Sequence, residues 1–105
     1  MIVRALLALG MLAGALCAHA HFPTLDCEAF DEDDKQQLRC VAGFSDGSST
    51  GKVELQVFTY DEDLITVVET DSNGQAVIAM PDGEFFIVFD AQHESPAEFD
   101  YAELE

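Results

Sequence analysis

Positive charge is what this sequence has least of. Four lysines and arginines stand against 21 aspartates and glutamates in 105 residues, a formal charge of −17 at neutral pH. Such a surface repels phosphate backbones and anionic headgroups, which removes nucleic acid and anionic membrane from the partners to consider. It favours cations or a basic protein surface instead. Histidine is as scarce, with three residues in the chain. A Ser–His–Asp set would have to consume one of them, and no glycine-rich phosphate loop is present. Carboxylates are so numerous that no pair of them singles itself out for glycoside hydrolysis. These absences point away from an enzyme. Convincing helical periodicity, internal repeats and low-complexity segments are missing too. The acidity does not signify disorder, because the second half of the chain is rich in β-branched and aromatic residues.

Long apolar runs are also lacking, apart from the first 20 residues. There Arg4 supplies a positive start, Ala5 to Cys17 is apolar, and Ala18-His19-Ala20 has the small-x-small form of a cleavage site. The apolar run is short for a membrane span. The expectation is therefore a secretory signal over residues 1–20, cut after Ala20, and a periplasmic or secreted protein consisting of one domain over residues 21–105. A cut after Ala18 would start the chain at His19 instead. Removing residues 1–20 takes away Arg4 and no acid, leaving three basic residues against 21 acidic ones, a formal charge of −18. The remaining chain, about 85 residues, can bury only a modest core.

Cys17 would leave with the signal, and Cys27 and Cys40 would remain. Two cysteines in an exported chain read as one disulfide. Closing a loop of roughly 14 residues contributes about 3 kcal/mol in the chain-entropy model. The same bridge would tie the N-terminal segment to the body of the domain.

What is abundant is β patterning. His21 to Asp26 should be extended, with Pro23 near its start. Asp31-Glu32-Asp33-Asp34 lacks the alternating ligands and glycine of a calcium loop and reads as a solvated loop or short helical turn. Leu38 to Phe44 is a strand, and Ser45 to Gly51 a turn-rich connection. Lys52 to Tyr60 alternates, with Val53, Leu55 and Val57 on one face. Leu64 to Thr70 and Gln75 to Met80 flank Asp71-Ser72-Asn73-Gly74, a strong hairpin signal. Glu84 to Asp90 is the most apolar strand, with Phe85, Ile87 and Phe89 on one face and Phe86 and Val88 on the other; it is expected to be central and covered on both sides. Ala97 to Glu103 alternates again, with Phe99 and Tyr101 inward. Phe58, Tyr60, Met80 and Tyr101 read as packing residues. Short strands at this spacing predict an all-β fold, a small Greek-key-like β-sandwich.

The predicted cut has a chemical consequence. It would make His21 the first residue, offering a metal ion both its α-amine and an imidazole nitrogen. His93, in the loop after the strand ending at Asp90, is the only other histidine left. Together they supply three nitrogens, a set suited to tetragonal copper(II) and acceptable to nickel(II), whereas zinc usually prefers a tetrahedral set. Asp90, Glu94 and Asp26 are the carboxylates nearby in sequence that could complete the site. An α-amine with pKa near 8 and imidazoles near 6.5 would compete only weakly with protons at neutral pH.

The succession of strand, Thr70-Asp71-Ser72-Asn73-Gly74 turn, strand, Pro81-Asp82-Gly83-Glu84 turn and Phe86-Ile87-Val88-Phe89-Asp90 strand resembles the transthyretin-like modules related to carboxypeptidase regulatory domains. The resemblance covers about Val41 to Tyr101 and rests on turn chemistry and alternation. A His-Phe start together with Phe89-Asp90-Ala91-Gln92-His93 is similar to the extracytoplasmic proteins of nickel and cobalt uptake that carry this module. The small periplasmic copper-binding proteins of the CopC type likewise combine an N-terminal histidine with a late Asp–His pair on a β-sandwich. In that family one residue separates the pair, whereas two separate Asp90 from His93 here. These resemblances imply a copper(II)-holding protein for storage, delivery or uptake, with His21 and His93 as ligands. The alternative they imply is a nickel- or cobalt-binding accessory of a membrane transporter. The expectations outside this class are a structural or interaction module whose acidic surface docks a basic partner, and a copper oxidase built on the same nitrogen brace.

Overall fold

In the computed structural model, residues 22–92 and 94–104 are described. They form seven strands: β1 (Pro23–Glu32), β2 (Lys35–Phe44), β3 (Glu54–Thr59), β4 (Leu64–Glu69), β5 (Gln75–Ala79), β6 (Phe85–Phe89) and β7 (Ala97–Asp100). All pairings are antiparallel. One sheet has the order β1-β2-β5, the other β4-β3-β6-β7. The two stack as a small β-sandwich, as the alternation predicts.

Period-two patterning decides the faces. Leu25, Leu38, Cys40, Ala42, Ala76 and Ile78 point inward from the first sheet. Leu55, Val57, Phe85, Ile87, Phe89 and Phe99 meet them from the second. Cys27 and Cys40 lie directly opposite one another in the β1–β2 register and form the expected disulfide, their Cα atoms 4.1 Å apart.

Five expectations need correcting. Asp31 and Glu32 are the last residues of β1, and Asp33-Asp34 alone make the turn, both at positive φ (53° and 62°). This is the backbone of a two-residue hairpin loop, which aspartate tolerates better than most residues. Second, Asp71 to Gly74 turns the chain but does not build a hairpin, because β4 and β5 belong to different sheets. Two sets of bonds pull them apart. Buried Thr70 donates its hydroxyl to Gly51 O, accepts from Val53 N–H, and donates its own N–H to Val53 O, holding β4 to the second sheet. Gly74 O accepts from Ala42 N–H at 2.8 Å, drawing β5 to β2. Gly74 sits at φ 78°, and a Cβ there would lie 2.4 Å from Ala42 O, so a side chain is excluded twice over.

Third, β6 is an interior strand but only its inner face is sealed. Phe86 and Val88 remain half-exposed on the outer face, where Phe86 stacks on Phe58 with ring centroids 5.3 Å apart. Fourth, β7 stops at Asp100, and Tyr101–Leu104 wind into a 3-10 turn. Tyr101 still packs inward, its ring edge-on to Phe85. Fifth, Tyr60, expected to pack, is substantially exposed.

Candidate functional site

His21 and His93, the two nitrogen ligands expected from sequence, lie outside the described residues. Their immediate neighbours are described, and the fold brings these to one end of the sandwich. Phe22 is held by Ser45 from both sides: its N–H donates to Ser45 Oγ at 2.9 Å, and its C=O accepts from Ser45 N–H at 2.8 Å. Antiparallel pairing places the next residue, Pro23, opposite Phe44. The Phe44 ring then crosses to the other sheet and meets Phe89 edge-on, with centroids 6.1 Å apart. Phe89 closes β6 and is followed directly by Asp90, Ala91 and Gln92. The first residues of β1 and the segment after β6 are thus linked through one aromatic contact.

Beside the segment after β6 lies a hollow of about 450 Å³ whose apolar wall is Phe44 and Phe89 and whose polar lining includes Thr50, Glu54, Gln56 and Asp90. The Asp90 carboxylate accepts the Gln92 N–H at 2.8 Å and so folds the loop back on itself. Gln92 is at φ 70°, a conformation that such a side-chain-capped turn accommodates. Glu94 is exposed beyond that turn. Asp26 is placed differently. It faces solvent from the outer side of β1 opposite Val41, about 13 Å along the strand from Phe22 at ~3.3 Å per residue. The fold brings Asp90 to the end where Phe22 sits and leaves Asp26 away from it.

The sequence reading missed a carboxylate at this end. Asp46 follows Ser45 directly and accepts both the N–H and the hydroxyl of Ser48. Its position in a turn-rich stretch marked it only as a loop residue. The pairing of Phe22 with Ser45, which locates it, is a tertiary fact. Among the described residues no group of three or more His, Cys, Asp and Glu side chains forms a ready-made metal cluster.

At the opposite end of the second sheet, the Tyr60 hydroxyl donates to Asp100 Oδ1, and Asp100 also accepts from Ala102 N–H. The bond to Asp100, helped by slight desolvation, pushes the Tyr60 hydroxyl up to about 12. The same bond holds the Asp100 carboxyl below its ordinary value. The pair ties the end of β3 to Asp100, the last residue of β7, from which the final turn begins.

The fold defines a class, the small two-sheet β-sandwich stapled by one cross-strand disulfide. No family model, no curated protein and no solved structure matches the chain.

Proposed function

We propose that this is an exported metal-binding protein that holds one copper(II) ion through His21 and His93. The observation that carries the reading is the meeting of two chain segments at one end of the sandwich. Phe22, next to His21 in sequence, is bonded to Ser45. Gln92, next to His93, lies in the loop that Asp90 folds after Phe89. The Phe44–Phe89 contact joins the two. With residues 1–20 removed by a signal peptidase, the His21 amine and imidazole and the His93 imidazole provide three nitrogens to a tetragonal ion. Asp90 is the carboxylate best placed to complete the set, and Asp46 is the second candidate. The role is storage, delivery or uptake of the metal in the periplasm or outside the cell, with hand-over to a transporter or another acceptor protein. Nickel(II) would accept the same donors, and it is the alternative cargo.

The test combines the intact mass of the exported protein with copper(II) titration of His93→Ala. The expected outcome is a chain starting at His21, one equivalent bound, and affinity lowered about 100-fold or more in the variant. Competition between copper(II) and nickel(II) identifies the cargo. A different starting residue, or unchanged copper affinity in His93→Ala, removes the reading.

A further inference from the structure

The strand edge least protected in this fold is that of β4. It ends its sheet, and β5, which ends the other sheet on the same side, touches it only slightly. Between the two edges opens an apolar cleft of about 610 Å³, floored by Val57, Val68, Ile78 and Met80. Leu64, Ile65 and Val67 along β4 and Val77 on β5 are 54%, 44%, 42% and 50% exposed. Thr70 N–H donates to Val53 O, so counting back by twos turns the amides of Val68 and Thr66 toward β3. Those of Val67 and Glu69 then face outward, and no other strand among the described residues pairs with them. No lysine, proline or inward charge interrupts Leu64 to Val68, the devices by which edges are ordinarily blunted.

Charge names the occupant. Asp61, Glu62 and Asp63 precede the strand, Glu69 ends it, Asp71 follows it, and Asp82 and Glu84 border the cleft. A second copy pairing antiparallel along β4 would set Asp61–Asp63 of one chain against Glu69 and Asp71 of the other, so like charges would meet at both ends. A segment with cationic ends meets the opposite situation. We propose that the β4 edge is a docking site for an extended peptide segment of a partner protein, with alternating β-branched apolar residues flanked by lysine or arginine. The added strand pairs its backbone with Val67 and Glu69, and its alternate side chains enter the cleft. This site lies apart from the end where Phe22 and Asp90 meet, and it does not depend on metal binding.

The probe is a fluorescent nine-residue peptide, Lys-Lys-Val-Thr-Ile-Thr-Val-Lys-Lys, titrated with the full exported chain and followed by anisotropy at low and at physiological salt. Two control peptides accompany it. One has its Val and Ile replaced by serine, and the other is N-methylated at alternate amides. The expected result is saturable binding that weakens with salt, is lost with both controls, and falls about tenfold or more in Val67→Lys and, independently, in Ile65→Lys. Circular dichroism of both variants establishes that they are folded. Equal binding of the serine peptide would reduce the interaction to charge attraction and overturn the proposal, as would equal binding of the N-methylated peptide or no binding at all. Sedimentation showing a dimer that Val67→Lys dissociates would assign the edge to a second copy and overturn it as well.

Discussion

The two lateral edges of the sandwich are built from the same chain to different standards. On one side β1 and β7 pack against each other across the sheets, with Leu25 and Phe99 buried between them. Their solvent-facing positions carry Asp26, Glu28, Glu98 and Asp100, and the Cys27–Cys40 bridge fixes β1 to β2. On the other side β4 and β5 barely meet, and their exposed positions include the large apolar residues Leu64, Ile65, Val67 and Val77. Charge is just as abundant there, but it is confined to Glu69 at the end of β4 and to the turns on either side of the strand. Where acids occupy the strand, they blunt the edge; where they only bracket it, they leave a strand available and dictate the sign of what can approach.

The largest expected effect comes from breaking the closed side. Phe99→Ala empties a buried aromatic position and should cost about 3–5 kcal/mol, against about 1 kcal/mol for half-buried Val68→Ala on β4. Urea unfolding of both variants checks the ranking, and equal losses would erase the distinction between the edges. Reducing the disulfide should come next, at about 3 kcal/mol. It should raise hydrogen exchange along β1 and β2, which the bridge joins, more than at β4, which it does not touch.

How much of this was legible beforehand depended on whether a feature is local. The inward sets Leu55 and Val57, and Phe85, Ile87 and Phe89, follow from alternation within one strand. The disulfide follows from the two cysteines left in the domain, Cys27 and Cys40, read together with the expectation of export. Partnership between strands was harder. Asp71-Ser72-Asn73-Gly74 has the composition of a hairpin turn, yet it carries the chain from one sheet to the other. The Thr70 bonds to Gly51 and Val53 and the Gly74 bond to Ala42 decide this, and each joins residues at least 17 apart in sequence, counted at its shortest from Val53 to Thr70. The openness of β4 was hidden for the same reason, since an apolar strand reads identically whether or not another strand covers its edge. At the candidate metal end, Asp90 was found by its closeness to His93, while Asp46 is brought there only by the pairing of Ser45 with Phe22.

The smallest expected effect concerns the Tyr60–Asp100 clip, which ties the end of β3 to the end of β7. Tyr60 titrates at about 12 in the fold against 10.0 unperturbed, so its contribution is whole below pH 10 and disappears as pH rises from 10 to about 12. Asp100 is shifted down from 3.8, so its contribution is whole above pH 3.8 and is lost as pH falls through its lower folded value. Tyr60→Phe should therefore flatten the fall in melting temperature at both extremes and leave the neutral range nearly unchanged, because both groups are exposed. An unaltered pH profile would show that the clip contributes nothing to holding that side closed.

The metal reading turns on a single bond at the chain start, and its most direct measurement is copper(II) titration of two proteins that differ by one residue. One begins at His21, and the other carries a glycine before it. If the α-amine and imidazole of His21 chelate the ion, the first binds one equivalent and the extended form binds about 100-fold more weakly or not at all. If both bind equally, or neither binds, the N-terminal chelate is wrong, and what remains is an acidic, disulfide-stapled sandwich with an open strand edge.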